Sequence, residues 1–182
     1  MGGAESAPPM IVTRRLTLVP SSVELARAEL HDRPAFADLL GAIVPDTWPP
    51  ESTVDALPLF LGWLEAAPDQ VGWFGWYALL RDATGTGSVL VGGGGFLGPP
   101  EDGSVQMGYS VLPEFQRRGY ATEMVKGLAS WAFIQPGVAV ITAETEWANP
   151  ASVRVLERTG FQQTGTASDP AGTRFELRTR PS

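Results

Sequence analysis

The chain has no cysteine, only one histidine and no long apolar run. The absence of cysteine excludes disulfides and thiolate metal sites, and it is typical of a cytoplasmic protein. The longest apolar segment, residues 71–80, is interrupted by Gly72 and Gly75, whereas a helix that crosses a bilayer needs about 20 apolar residues. We therefore predict a cytoplasmic location, no membrane association and no bound metal.

Basic residues are few as well. The chain has 13 lysine and arginine residues against 20 aspartate and glutamate residues, a formal net charge of −7 at pH 7. Proteins that bind nucleic acid usually carry a basic face, so no nucleic-acid partner is expected. An acidic protein is better suited to a cationic or amine substrate, because opposite charges attract at long range.

The length of 182 residues and a hydrophobic content of 43% predict a globular chain with a sizeable core. Residues 1–9, which are rich in glycine, alanine, serine and proline, are expected to form a flexible tail, and residues 10–182 a single domain. Met1, Gly2 and Ser6 match an N-myristoylation pattern. We favour a disordered leader, because so short a pattern often arises by chance and no polybasic segment supports membrane anchoring.

Hydrophobic periodicity and turn residues divide the rest of the chain into strands and helices. Strands are predicted at residues 11–19, 73–80, 88–96, 105–111, 138–145, 161–164 and 174–179. Helices are predicted from Ser21 or Ser22 to about residue 30, and at residues 34–40, 53–65, 121–133 and 150–159. The connection between the strands at 105–111 and 138–145 is long enough to make them parallel neighbours. This order predicts a mixed α/β domain.

The most informative segment is residues 107–122, where a strand ends before Pro113 and a turn rich in hydrogen-bond donors precedes a helix. Backbone N–H groups at the start of a helix attract anions, and the guanidinium groups of Arg117 and Arg118 would bind a phosphate. A dinucleotide-binding Rossmann loop is excluded because this turn has a single glycine, and the glycines at 92–95 lack the following Gly-Lys-Ser/Thr of a Walker loop. The segment therefore predicts a seat for a phosphorylated cofactor.

Two motifs in this chain resemble the GNAT acyltransferase superfamily, whose members bind acetyl-CoA. The first is Gln116-Arg117-Arg118-Gly119-Tyr120-Ala121, which is similar to the superfamily signature Gln/Arg-x-x-Gly-x-Gly/Ala. The second is Asn149-Pro150-Ala151-Ser152, followed by Val155-Leu156-Glu157-Arg158 and Gly160-Phe161. Thr13-Arg14-Arg15-Leu16-Thr17-Leu18 and Gly108-Tyr109 are similar to the branch of ribosomal-protein alanine N-acetyltransferases.

The resemblance implies a mostly antiparallel twisted sheet flanked by helices, with a parallel central strand pair splayed around the cofactor. It also implies a β-bulge at residues 109–111 that frees backbone N–H groups for the acetyl carbonyl and the pantetheine arm. The residues that it assigns to acetyl-CoA are Tyr109, Ser110, Val111, Gln116, Arg117, Arg118, Gly119, Tyr120, Ala121, Thr122, Asn149 and Ser152. A glycine at 119 would let the backbone approach the diphosphate closely.

The reaction that the resemblance implies is attack of a neutral amine on the acetyl thioester, which requires a base or a site that lowers the pKa of the amine. Relatives in this branch often have a glutamate where this chain has Gln106, and an amide cannot accept a proton usefully. Glu144 is an alternative base, although it is also explained as a carboxylate at the end of a strand. Ser152 is a candidate proton donor to the leaving thiolate, and Asn149 is a helix cap that also contacts the pantetheine arm or the thiol. His31, at the end of a helix, is not expected to be catalytic.

The acceptor is expected to be a small amine or a protein N-terminal amine, bound between the loops at 45–50 and 165–173 with Trp48 as one wall. Two other functions stay open. The first is a non-catalytic acyl-CoA-binding protein that lost its base, and Gln106 is the reason to consider it. The second is a dimeric scaffold without a cofactor. The oligomeric state is expected to be a monomer or a homodimer.

Overall fold

The computed structural model describes residues 8–84 and 87–179. Within these residues eight strands and five α-helices follow one another along the chain. The strands are β1 (Ile11–Val12), β2 (Leu16–Pro20), β3 (Gly75–Arg81), β4 (Ser88–Phe96), β5 (Ser104–Val111), β6 (Val140–Glu146), β7 (Gln162–Thr166) and β8 (Gly172–Arg178). The helices are α1 (Val23–His31), α2 (Arg33–Leu40), α3 (Leu57–Ala66), α4 (Tyr120–Phe133) and α5 (Pro150–Arg158). Residues 1–7, with most of the expected tail and the myristoylation pattern, lie outside the described residues.

All eight strands form one sheet in the order β1-β2-β3-β4-β5-β6-β8-β7. Neighbouring strands are antiparallel except for β5 and β6, which run parallel as predicted, with α4 as the crossover between them. The mixed α/β class and the mostly antiparallel sheet with a central parallel pair are therefore confirmed. Among the described helices, none combines the length and apolar character needed to cross a membrane.

Side chains on β3 show how the sheet separates two hydrophobic cores. Trp76 and Ala78 belong to the core beneath α4, whereas Tyr77 and Leu79 belong to the core beneath α1 and α2. Successive side chains of a strand point to opposite faces, so one strand of alternating large residues supports both layers. The helix pair α1–α2 and helix α4 thus cover opposite faces of the central strands.

Two predicted elements are divided in the structure. The strand predicted at residues 11–19 is two antiparallel strands, β1 and β2, because Thr13 makes a tight turn: its backbone N–H donates to the Leu16 carbonyl (2.9 Å) and its hydroxyl accepts from the Leu16 N–H (3.0 Å). The helix predicted at 53–65 begins as a 3₁₀ segment, Glu51–Ala56, and becomes α-helical at α3. Pro58 lies in the first turn of α3, where its missing N–H leaves no bond unmade.

The helix caps agree with the predictions. Ser22 accepts a hydrogen bond from the Leu25 N–H at the start of α1, and Asn149 accepts one from the Ser152 N–H at the start of α5. Gly160 follows α5 with φ 93°, the left-handed conformation that ends many helices at a glycine. Ser22 and Asn149 thus fix the starting points of α1 and α5, which both reach the site described below.

Candidate active site

The parallel strand pair opens before its strands end. β5 pairs with β6 only from Ser104 to Met107, and beyond that point β5 continues to Val111 as a partner of β4. β6 in turn stays paired with β8 up to Glu146. Because β5 follows β4 and β6 follows β8, the twisted sheet divides into two halves with a gap between them.

Backbone groups of β5 face this gap. The Gln106 carbonyl accepts a hydrogen bond from Leu97 on the β4 side (3.0 Å), and the Val105 carbonyl accepts one from Thr142 on the β6 side (3.4 Å). Because this direction alternates along a strand, the N–H groups of Tyr109 and Val111 point towards β6. The strand has diverged there, so these donors are directed into the gap.

The prediction of a β-bulge at residues 109–111 is wrong. The pairing of β5 with β4 runs without a shift from Met107 opposite Phe96 to Val111 opposite Gly92. The divergence of β6, rather than an extra residue in β5, frees the backbone donors. Among the described strands, the register shifts lie instead between β3 and β4 and between β7 and β8.

The turn between β5 and α4 has an unusual backbone. Arg117 has φ 61° and Gly119 has φ 83°, and a left-handed conformation at a non-glycine residue costs roughly 1 kcal/mol. Such turns direct successive N–H groups towards one point and make an anion-binding concavity. The side-chain amide of Gln116 donates to the Val111 carbonyl (2.9 Å) and ties the turn to the end of β5.

Arg15, in the turn between β1 and β2, supports this segment from behind. Its guanidinium donates to the Arg118 carbonyl (2.9 Å) and lies 4.6 Å from the centre of the Tyr120 ring. A Cβ on Gly119 would come within 3.2 Å of Arg15 Nη2. Both this contact and the positive φ explain why a glycine stands at 119.

Glu123 in the first turn of α4 holds Arg15 in place. Its carboxylate accepts hydrogen bonds from the Thr13 hydroxyl (2.6 Å), the Arg15 N–H (2.5 Å) and the Arg15 Nε (2.8 Å). Burial alone would raise the pKa of Glu123, but these hydrogen bonds and the charge of Arg15 lower it to about 2. The Thr-Arg-Arg segment noticed in the sequence thus anchors the start of α4.

A cavity of about 540 Å³ occupies the gap between β5, α4 and α5. It is lined by predicted cofactor residues, with Arg118 as the exception: Tyr109, Ser110, Val111, Gln116, Arg117, Gly119, Tyr120, Ala121, Thr122, Asn149 and Ser152. The Arg118 backbone carbonyl instead binds Arg15. The structure therefore brings the two sequence motifs to one cavity.

Two further arginines line this cavity, Arg154 and Arg158 on α5. They lie four residues apart and so share one face of the helix, a signal that is present in the sequence itself. No carboxylate is among the described lining residues, and Arg117, Arg154 and Arg158 form no salt bridge with a described residue. In a chain with a net charge of −7, this is a local concentration of positive charge suited to phosphate groups.

Glu144, the alternative base, is bonded to Ser168. Its two carboxylate oxygens accept hydrogen bonds from the N–H and the hydroxyl of Ser168 (both 3.1 Å), so that it anchors the loop between β7 and β8. It lines neither this cavity nor the second one described next. His31 is exposed at the end of α1 and also lines neither cavity.

A second cavity of about 310 Å³ adjoins the first and shares Tyr109 and Ser110 with it. Its floor is the glycine-rich part of β4 together with Gly108 of β5, and its walls are mostly aromatic and aliphatic. The wall residues include Trp48, Leu57, Phe60, Phe74, Tyr77 and Leu97, whereas Trp76 and Phe96, which also border the cavity, have their side chains in the core beneath α4. Trp48, expected as a wall of the acceptor pocket, is among the wall residues.

Glu29 of α1 reaches into this apolar cavity, and sequence reasoning missed it. The Tyr77 hydroxyl donates to one carboxylate oxygen (2.6 Å) and the Trp48 indole N–H donates to the other (2.9 Å). Burial raises the pKa of Glu29, and the two hydrogen bonds offset part of that rise. Nothing in the local sequence distinguishes Glu29 from the exposed Glu24 on the same helix, because the partners come from distant segments.

The described residues contain no group of histidine, cysteine, aspartate and glutamate side chains arranged to hold a metal ion.

Comparison with known proteins agrees with this geometry. The description "Acetyltransferase (GNAT) domain" belongs to a family model that matches residues 15–162. The uncharacterized N-acetyltransferase YjdG of Bacillus subtilis is 31% identical over 154 residues, which cover 84% of this chain and 89% of YjdG.

Solved structures share the fold. An acetyltransferase from Agrobacterium tumefaciens aligns with a TM-score of 0.65 at 22% identity and covers 96% of both chains. RimJ of Mycobacterium smegmatis, solved in complex with CoA-disulfide, aligns with a TM-score of 0.65 at 20% identity and covers 94% of this chain and 88% of RimJ. With the family model spanning most of its length, this chain belongs to the GNAT acetyltransferase family.

Proposed function

We propose that the protein is an acetyl-CoA-dependent N-acetyltransferase that transfers the acetyl group to a primary amine by direct attack in a ternary complex. The observation that carries this proposal is the gap between β5 and β6, which is lined by three arginines and faced by free backbone donors. Coenzyme A combines a diphosphate, a further phosphate and an amide-rich arm, and these groups match the cations and the donors of the gap.

The chain's own residues divide the work of binding. The turn at residues 116–119 and Arg117 would hold the diphosphate, and Arg154 and Arg158 would bind further phosphate oxygens. The N–H groups of Tyr109 and Val111 would orient the pantetheine arm and the thioester carbonyl. Bound acetyl-CoA supplies an acetyl group activated as a thioester. The acceptor would enter from the side of the second cavity, since Tyr109 and Ser110 line both spaces.

Coenzyme A binding and acetyl transfer test the proposal in two stages. Titration of the protein with CoA in a calorimeter should give saturable binding, and CoA should raise the thermal unfolding temperature, because a ligand that prefers the native state stabilises it. Incubation with acetyl-CoA and a panel of primary amines should release thiol above the hydrolysis background and give N-acetylated products by mass spectrometry. If CoA gives neither heat nor a thermal shift, the proposal is wrong.

Gln106 is the reason to consider a second function, that of a non-catalytic acyl-CoA-binding protein. The side chain at 106 is an amide and cannot take a proton from an amine. Single-turnover measurements with excess protein over acetyl-CoA separate the two functions. Tight CoA binding without acetyl transfer to any amine of the panel would favour the binding protein, and transfer within one turnover would favour the enzyme.

A further inference from the structure

We propose that the second cavity is the acceptor site, that its substrate is a compact apolar monoamine, and that Glu29 binds the substrate's ammonium group and takes its proton. This inference rests on the proposed function, because it assigns the acceptor half of the same site. It gives a role to two features that the cofactor cavity does not use, the glycine-rich strand β4 and the carboxylate of α1.

The glycines of β4 create the space. Gly93 lies directly between Tyr77 of β3 and Ser110 of β5, paired with each of them. Paired residues project on the same face of a sheet, and a Cβ on Gly93 would come within 2.9 Å of the Trp76 carbonyl oxygen and 3.3 Å of the Trp48 ring. The Trp48 ring therefore packs directly on Gly93, and the open floor lies two residues further along at the paired glycines Gly75, Gly95 and Gly108, where a Cβ on Gly108 would meet nothing within 4 Å.

Glu29 and Ser110, which also lines the cofactor cavity, border the same space. Adjacent strands lie about 4.8 Å apart, so the backbones of Tyr77 and Ser110 are roughly 10 Å apart across Gly93. Glu29 is hydrogen-bonded to the Tyr77 hydroxyl at 2.6 Å, and Ser110 lines both cavities. An amine on the glycine floor can thus direct its nitrogen towards both the carboxylate and the junction with the cofactor cavity, with its apolar group against the aromatic walls.

The charge and the walls define the class of substrate. Glu29 is the one charged side chain among the described residues that line the cavity, and the ionisable group that faces it there is Tyr77, since the Tyr109 side chain lies on the other face of the sheet. A single carboxylate can balance a single ammonium group, whereas a second cation would be buried without a partner at a cost of several kcal/mol. The aromatic walls suit an apolar group and add cation–π attraction for the ammonium. The volume lies at the lower end of the range for ligand sites, which favours a compact molecule.

The hydrogen bonding of Glu29 leaves room for this ligand. Each carboxylate oxygen has two acceptor positions, and Trp48 and Tyr77 occupy one on each oxygen. The remaining position on each oxygen is available to an ammonium N–H. Burial also raises the pKa of Glu29, and a higher pKa improves a carboxylate as a proton acceptor.

The reaction balances with these groups. The ammonium gives one proton to Glu29, and the neutral nitrogen forms a bond to the acetyl carbon while the carbon–sulfur bond breaks. The Ser152 hydroxyl gives its proton to the departing sulfur, the second nitrogen proton replaces it on Ser152, and Glu29 then releases its proton to solvent. One amide, one free thiol and one proton result from one ammonium and one thioester.

Three amines test the assignment: phenethylamine, ethanolamine and putrescine. Phenethylamine should bind to the protein, with or without saturating CoA, and should be acetylated with a kcat/KM about tenfold or more above the values for the polar and the doubly charged amine. In the variant Glu29→Gln, phenethylamine should bind about tenfold more weakly. Its kcat/KM should fall about 100-fold and lose the acidic limb of its pH profile.

The controls separate this inference from the proposed function. Glu24→Gln, an exposed change on the same helix, should match the wild type. Glu29→Asp should keep more activity than Glu29→Gln, and CoA affinity and the unfolding temperature should stay near wild type in both Glu29 variants.

Acetyl transfer that is indifferent to Glu29, or that favours ethanolamine or putrescine, would overturn the inference and leave the proposed function standing. An absence of both binding and transfer of phenethylamine would also overturn it. Glu29-dependent phenethylamine binding without any acetyl transfer would support the amine site and contradict the proposed function.

Discussion

The side-chain oxygens of Tyr109 and Ser152 lie 2.9 Å apart, and the Tyr109 hydroxyl also donates to the Ser152 carbonyl at 3.2 Å. Tyr109 is on β5 and Ser152 is in the first turn of α5, so this contact crosses the gap between the two halves of the sheet. Burial raises the pKa of Tyr109, and the hydrogen bond with Ser152 offsets part of that rise. Tyr109 therefore stays protonated at neutral pH and can return a proton to Ser152.

We predict that Ser152→Ala lowers kcat by about 100-fold, because it removes the hydroxyl placed to protonate the departing sulfur. CoA affinity should fall by less than about tenfold, since a single neutral hydrogen bond contributes about 1 kcal/mol. Steady-state kinetics and calorimetry with CoA measure the two effects separately. Ser168→Ala, which removes a hydroxyl bonded to Glu144 outside both cavities, is the matched control. An equal loss in both serine variants would contradict the role of Ser152.

Arg158→Gln and Arg154→Gln should each weaken CoA binding by about 10-fold, because a charge-assisted hydrogen bond to phosphate contributes about 1.5–3 kcal/mol. The loss should shrink at high salt, where screening already weakens the attraction in the wild type. Calorimetric titration at two salt concentrations tests this. Arg27→Gln, which breaks the exposed salt bridge between Arg27 of α1 and Glu65 of α3, should leave CoA affinity unchanged. Equal CoA affinities in all three variants would show that the arginines of α5 do not bind CoA.

The features that could be predicted from the sequence are those that depend on residues close together in the chain. The strand before Pro113, the Asn149 cap and the glycine after α5 depend on local chemistry, and the structure confirms each of them. The two motifs lie at the ends of the parallel pair, so their meeting at one cavity followed from the predicted crossover.

The unpredicted part depends on contacts between distant segments. Glu29 acquires its environment from Trp48 and Tyr77, which are 19 and 48 residues away. Beyond Met107, β6 stays paired with β8 and leaves β5, which opens the gap at Tyr109. No local sequence pattern indicates that β8 pairs with β6. Periodicity reports which face of an element is buried, but not which residues meet there.

Glu123→Gln should make the protein less stable at neutral pH but hardly less stable in acid. The pKa of Glu123 is lowered from 4.5 to about 2, so its ionised form stabilises the native state fully above pH 4.5 and progressively less as the pH falls towards 2. The wild type should exceed the variant by about 2 kcal/mol at pH 7, and the difference should decline below pH 4.5. Urea unfolding at several pH values measures this.

The control for Glu123 is Glu24→Gln on the exposed side of α1. It should change the free energy of unfolding by less than about 0.5 kcal/mol at any pH. A destabilisation of Glu123→Gln that stays constant down to pH 3 would show that lost packing, rather than the lost charge, is responsible.

Arg33→Lys should raise the KM for the acceptor amine about fivefold while kcat and CoA affinity change little. Arg33 donates to the carbonyls of Trp48 (2.9 Å), Val44 (3.2 Å) and Pro45, and so fixes the loop from which the Trp48 indole reaches Glu29. A lysine ammonium cannot reproduce this planar fork, so the loop would hold Trp48 less firmly. The effect should fall on binding of the amine, because Arg33 lines neither cavity. Arg27→Lys is the control, and an increase in the KM for acetyl-CoA instead of the amine would contradict this role for Arg33.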